Sequence, residues 1–150
     1  MNTICRGLVG HVSYMATCSL STVYSETLLY EPIARIAQSK GYNVRCEMPV
    51  GLKPPGPGDN KRIDFQITKG DRSTSLEVKW CKRKPCDVTK DVRKLMAMDS
   101  NDRFLLVFGP GKIVDGLTLK SNGELFLAPA GKLVRWNSGM TDYAAQWYRV

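Results

Sequence analysis

The sequence predicts a mixed α/β fold (α+β, built on a mixed sheet), with an αβββαβ core over residues 22–108 and a C-terminal β-hairpin and helix extension over 109–150. Three observations carry that expectation. Leu29, Tyr30, Ile33, Ile36 and Ala37 recur at helical spacing. Two runs of alternating apolar and polar residues flank Gly70-Asp71, a glycine-first pair suited to a tight hairpin. Arg103 to Phe108 is the near-continuous apolar run of a strand buried on both faces. The 150 residues suit a single domain. With 43% apolar and 24% charged residues, and no run long enough to span a bilayer, the composition excludes both a disordered chain and an integral membrane helix.

Taken in order, residues 1–20 carry apolar patches interrupted by Arg6, His11 and Ser13, so they read as an additional N-terminal element rather than a secretory signal. A helix is expected from Thr22 to Lys40, stopped at Gly41, with a kink or break at Pro32. Tyr42, Val44, Cys46 and Met48 alternate with polar residues, which predicts a half-buried strand with Cys46 as a small hydrophobe. Residues 49–60 form a Pro/Gly connector. Counting outward from Gly70-Asp71 pairs Lys69 with Arg72, Thr68 with Ser73, Phe65 with Leu76 and Ile63 with Val78. A second helix begins near Asp87 to Thr89 and turns Val88, Val92, Leu95 and Met96 inward. The apolar strand 103–108 is closed by Gly109-Pro110-Gly111. Ile113–Leu119 and Glu124–Leu127 flank a further hairpin signal, Ser121-Asn122-Gly123, and Thr141–Arg149 has a helical look with Tyr143, Trp147 and Tyr148 available for packing.

The hairpin count also sets Asp64 directly opposite Glu77 on the polar face, which Lys79 and Gln66 share. Two carboxylates facing one another across a ladder repel, and a divalent cation between them reverses that interaction. The plain alternative is a hairpin face of solvated charges. Glu26 falls within the apolar stripe of the first helix whereas Glu31 points away, and an acid on a packed face is costly unless paired or used. Its alternative reading is a first-turn glutamate favoured by the helix dipole.

Twenty-two Lys and Arg against fourteen Asp and Glu give a net charge of +8, which favours polyanionic partners, nucleic acid first. Lys79 to Lys94 holds seven basic residues; Lys82, Arg83 and Lys84 leave the second hairpin strand where a phosphate backbone would pass, and Lys90 and Lys94 lie beside the site. Trp80 and Trp136 are available for stacking on bases or for core packing. Five cysteines without a CxxC pair and the single His11 argue against zinc and against a Cys-His nucleophile, and predict reduced thiols in a cytoplasmic protein.

Arg62-Ile63-Asp64-Phe65 and Leu76-Glu77-Val78-Lys79, with twelve residues between the two acids, resemble the signature of the PD-(D/E)XK nuclease superfamily, the restriction-endonuclease-like fold. Glu26-Thr27-Leu28-Leu29-Tyr30-Glu31-Pro32 looks like the glutamate-bearing helix of several small members. Ile63 stands where the family's name has a proline. The resemblance implies an Mg²⁺-dependent phosphodiester hydrolase, endonuclease-like, with Mn²⁺ substituting, that acts on DNA in preference to RNA. Asp64, Glu77 and the Val78 carbonyl would hold the metal, Lys79 would orient or help deprotonate the attacking water, and Glu26 would act from the helix side. Specificity would have to come from insertions, a homodimer or a larger nucleoprotein assembly, with no membrane involved. A nucleic-acid-binding module of the same fold without turnover, and a toxin-neutralising interaction protein, are the competing readings.

Overall fold

Gly70 adopts a left-handed φ of 57°, and the hairpin it turns organises the sheet. In the computed structural model, which describes residues 1–18, 25–50, 62–115, 117, 119–121, 125–137 and 142–150, β2 (Arg62–Lys69) and β3 (Arg72–Trp80) pair antiparallel. Lys69 faces Arg72, Thr68 faces Ser73 and Phe65 faces Leu76, the register the sequence predicts. β1 (Asn43–Pro49) lies antiparallel on the outer side of β2. α3 (Thr89–Met96) then crosses over to β4 (Asp102–Pro110), which runs parallel to β3. β8 (Asp142–Arg149) and β7 (Val134–Asn137) complete a six-stranded sheet in the order β1-β2-β3-β4-β8-β7.

The residues 1–18 that the sequence leaves unplaced form α1 (Asn2–Thr17), whose Ile4, Cys5, Leu8, Val9 and Val12 are buried on one sheet face. Gly7 lets α1 approach α2 (Tyr30–Gln38), since a Cβ there would run into the Ile36 side chain. Phe65, Ile67, Leu76, Val78, Leu106 and Phe108 face these two helices. Leu105, Val107, Ala144 and Tyr148 face the other way, toward α3, α4 (Gly111–Val114) and the small hairpin of β5 (Leu119–Ser121) and β6 (Leu125–Leu127). Both faces of β4 are therefore buried, which explains its unbroken apolar run.

Several expectations are corrected. The first helix changes character before Pro32 and not at it: a 3₁₀ turn, Glu26–Leu29, leads into α2, and Pro32 sits in the first turn of α2, where its missing N–H is not needed. β4 runs through Gly109 and Pro110 instead of stopping before them, and Ile113 lies on α4. Residues 142–149 are a strand, not a helix: Tyr143, Ala145 and Trp147 pack toward α1 while Ala144 and Tyr148 pack the opposite way. Cys46 is exposed on the edge strand rather than buried. Cys81 is joined to Cys86, with Cα atoms 5.8 Å apart, where the sequence predicts reduced thiols. The connector at 51–60, the start of the first helix at 22–24 and Asn122-Gly123 lie outside the described residues. No described helix is long and apolar enough to cross a membrane.

One distortion positions everything that follows. The β1–β2 ladder pairs Cys46 with Phe65 and Met48 with Ile63 but skips Glu47 and Asp64, and Glu47 has a left-handed φ of 54°. The β2–β3 ladder ends at Phe65–Leu76. Beyond this point Ile63 and Met48 pack into the cluster beneath α3, whereas Phe65 and Val44 pack against α1 and α2. The expected Ile63–Val78 pair is therefore lost, and so is the direct ladder pairing of Asp64 with Glu77.

Candidate active site

The place where β2 leaves β3 exposes two donors. Cys81 N–H bonds to the Phe108 carbonyl of β4, so by strand alternation Val78 and Trp80 direct their N–H groups toward the absent β2 backbone. Carboxylates fill both gaps. Asp64 Oδ2 accepts from Val78 N–H at 2.7 Å, and Glu26 Oε1 accepts from Trp80 N–H at 3.1 Å. Leaving such a donor unpaired in the interior costs about 1–3 kcal/mol, which ties each acid to β3. Tyr30, on α2 and edge-on to Phe65 at 4.8 Å, donates its hydroxyl to the other oxygen of Asp64 at 2.6 Å and lies 3.1 Å from Glu47.

From the opposite face come the side chains of Glu77 and Lys79, with α3 supplying their partners. Lys94 Nζ meets Glu77 Oε1 at 2.6 Å and also donates to the Arg62 carbonyl at 3.1 Å. Lys79 Nζ lies 3.2 Å from Asp91 and 3.8 Å from Glu26. Asp91 thus stands between the two lysines, 3.9 Å from Lys94. Four acids and two lysines from β2, β3, α3 and the 3₁₀ turn converge where the sheet opens, so groups from both faces meet.

Burial shapes the electrostatics. The Glu77 side chain is 2% exposed. Loss of hydration, then the charges of Asp64 and Asp91, push its pKa up to about 8 despite the opposing pull of Lys94. Asp64 is raised as well, first by burial and further by Glu26, against the lowering effect of Tyr30, the Val78 N–H and Lys94. For Lys79, burial pulls downward, yet Asp91 and then Glu26 and Glu77 overcome it and leave the ammonium more firmly protonated. The Tyr30 hydroxyl is held well above its usual range by burial and by Asp64.

Glu26, Asp64, Glu77, Lys79 and Lys94 all lie around the opening between β2 and β3, held there by contacts other than the expected ladder pairing. Asp64 and Glu77 are not a ladder pair, and what links them is the charge of Asp64, which raises the proton affinity of Glu77. The side chain of Glu26 is 40% exposed rather than set in the packed stripe. Lys82, Arg83, Lys84 and Lys90 are exposed around the end of β3 and the start of α3, and Lys84 touches the Asp115 carbonyl at 3.4 Å. Gln66 is half-buried opposite Ser75. Trp80 stacks on Phe108 in the core, while Trp136 is 46% exposed on β7. Two contributors were missed. Asp91 shares the inward stripe of Val88, Val92 and Leu95, the same signal that singles out Glu26. Tyr30 reads as core, and nothing in its spacing distinguishes a packed ring whose hydroxyl holds an acid.

Among the described residues, no three His, Cys, Asp or Glu side chains are grouped tightly enough to cage a metal ion. The donor chemistry nevertheless suits a hard dication: Asp64 and Glu77 offer only oxygen, both are taken out of water, and each has its proton affinity raised in part by neighbouring negative charge. Such an ion would rely on these two carboxylates, with backbone, water and phosphate oxygens completing its shell. Compared with family models, curated proteins and solved structures, the chain matches none.

Proposed function

We propose that the chain is an Mg²⁺-dependent phosphodiester hydrolase of the restriction-endonuclease-like class, acting on DNA. The observation that carries this reading is the convergence of Asp64 and Glu77, both with raised proton affinity, beside the firmly protonated Lys79 at the opening between β2 and β3. Asp64, Glu77 and the Val78 carbonyl would hold the metal. When bound, the ion supplies an activated water and neutralises charge that develops on the phosphate. The chain's own residues do the rest. Lys79, positioned by Asp91 and Glu26, orients the attacking water and faces the phosphate as a cation. Glu26 holds outer water from the α2 side. Lys94 pairs with Glu77, and with a metal held by that carboxylate it would be free to meet a phosphate oxygen. Exposed Lys82, Arg83, Lys84 and Lys90 extend a positive track from the site, and Trp136 offers an open ring face farther along the sheet.

Incubation with supercoiled DNA, linear DNA and RNA in Mg²⁺ or Mn²⁺ tests the reading. Cleavage is expected with DNA, absent in chelator and abolished by Asp64→Ala, Glu77→Ala or Lys79→Ala. Replacing Lys82, Arg83 and Lys84 together by Ala is expected to weaken DNA binding uniformly across sequences and to flatten its salt dependence by about three contacts' worth of slope. Cleavage that survives all three site changes removes the proposed centre.

One observation favours a second reading, a nucleic-acid-binding module without turnover. Both oxygens of Asp64 are already engaged, by Tyr30 and by Val78 N–H. DNA binding that is independent of divalent cations, with no cleavage of any nucleic acid, would decide for it.

A further inference from the structure

A cavity lies at the opposite end of the strands from the candidate active site. Its volume is about 610 Å³, and it opens where the start of α1, the end of α2 and the neighbouring ends of β2, β3 and β4 meet. That size falls within the range of small-molecule sites. Lys69, at this end of β2, is five residues from Asp64, so the two places are about 17 Å apart along the strand.

The floor is mostly aliphatic, formed by Ile4, Ile36, Ile67 and Phe104. Its uncharged polar groups are the hydroxyls of Thr3, Tyr42 and Thr74, and none of its lining residues is an Asn or Gln that would read the edge of a base. The mouth is cationic. Lys40, Lys69 and Arg72 are exposed there, and Asp102 is the one acid. That acid is already over-neutralised, since Arg72 takes one oxygen at 2.9 Å and Arg149 the other at 2.7 Å. Lys69 is held at the rim by the Lys40 carbonyl at 3.0 Å and by the Tyr42 ring, whose centroid is 4.9 Å from its ammonium. One of its N–H groups is thereby used, and a primary ammonium has three.

A positive surplus above an aliphatic floor selects a ligand with both characters. A nucleic-acid phosphate would satisfy the cations and leave the floor wet, while a neutral apolar molecule would leave the cations unused. We propose that this cavity binds a medium-chain aliphatic carboxylate, its tail on Ile4, Ile36 and Ile67 and its head among Lys40, Lys69 and Arg72. The site is independent of the hydrolytic one.

Isothermal titration of the full chain with dodecanoate tests this. One-to-one binding is expected, at least about tenfold tighter than hexanoate, dodecyltrimethylammonium, inorganic phosphate or a nucleoside 5′-monophosphate. Lys69→Ala combined with Arg72→Ala, both at exposed positions, is expected to weaken dodecanoate at least about tenfold. Glu77→Gln is expected to leave it unchanged, so the carboxylate site and the hydrolytic site succeed or fail separately. The proposal is overturned if dodecanoate does not bind, if the double variant binds it as well as the parent, or if phosphate or the nucleotide binds as tightly as dodecanoate.

Discussion

Asp64 takes the place of a missing strand: its carboxylate accepts the Val78 N–H at 2.7 Å at the point where the β2–β3 ladder ends. The same carboxylate receives the Tyr30 hydroxyl. Asp64→Ala therefore removes the acceptor for two donors and is expected to lower stability by about 2–4 kcal/mol in urea unfolding. Asp64→Asn keeps an acceptor oxygen and is expected to cost about 1 kcal/mol. Under the proposed function a hydrolysis assay would separate scaffold from chemistry, because the Asn variant, though folded, should lose activity by about a hundredfold or more. An Asn variant that cleaves normally would reduce Asp64 to a structural cap.

Asp91 joins Lys79 to Lys94, at 3.2 and 3.9 Å. Under the proposed function it acts through Lys79 as a positioning residue. Asp91→Ala is expected to lower kcat by about 10- to 100-fold with KM little changed. Asp91→Asn should recover part of the loss, since an amide oxygen still accepts from the ammonium. Equal loss in both variants, with a matching fall in melting temperature, would mark a purely structural contact.

The parts of this molecule legible in sequence are those governed by local periodicity. Gly70-Asp71 announces both the turn and its register, and the apolar run of β4 announces burial on two sides. Residues 142–149 look helical in sequence because burial on both faces removes the polar alternation that marks a strand, and Ala144 and Ala145 lend the segment helical propensity. The site was legible in its residue identities but not in its geometry. Nothing in the spacing of Glu47 or Asp64 signals the left-handed backbone at Glu47 or the parting of β2 from β3, because both depend on which core each strand end joins.

Gly109 shows how tightly the sheet closes behind the site. A Cβ at this position would strike the Cys81 carbonyl, one residue beyond Trp80 on the strand that carries Glu77 and Lys79. Backbone cannot yield as a flexible side chain does, so β4 and β3 must separate. Gly109→Ala is expected to cost about 1–3 kcal/mol, read as a lowered melting temperature. A melting temperature equal to the parent's would contradict the close approach.

Glu77 gives the molecule an unusual pH dependence in the absence of metal. Its folded pKa is raised from 4.5 to about 8, so between these values the folded chain holds a proton that the unfolded chain releases. Stability from this group is greatest below the ordinary glutamate range and is lost as pH rises through about 8, a decline on the order of a few kcal/mol. Asp64, raised in the same direction, adds to the decline, whereas Asp87 and Asp142 are lowered by their partners and act oppositely at acid pH. Unfolding in chelator at pH 5, 7 and 9 is therefore expected to show falling stability toward pH 9, and Glu77→Gln, which cannot ionise, should flatten that slope. Under the proposed function, Mg²⁺ restores stability at pH 9 in the parent and much less in Glu77→Gln, because the cation binds the carboxylate that the proton otherwise neutralises. A parent slope identical to that of Glu77→Gln would show that Glu77 ionises freely in the folded chain.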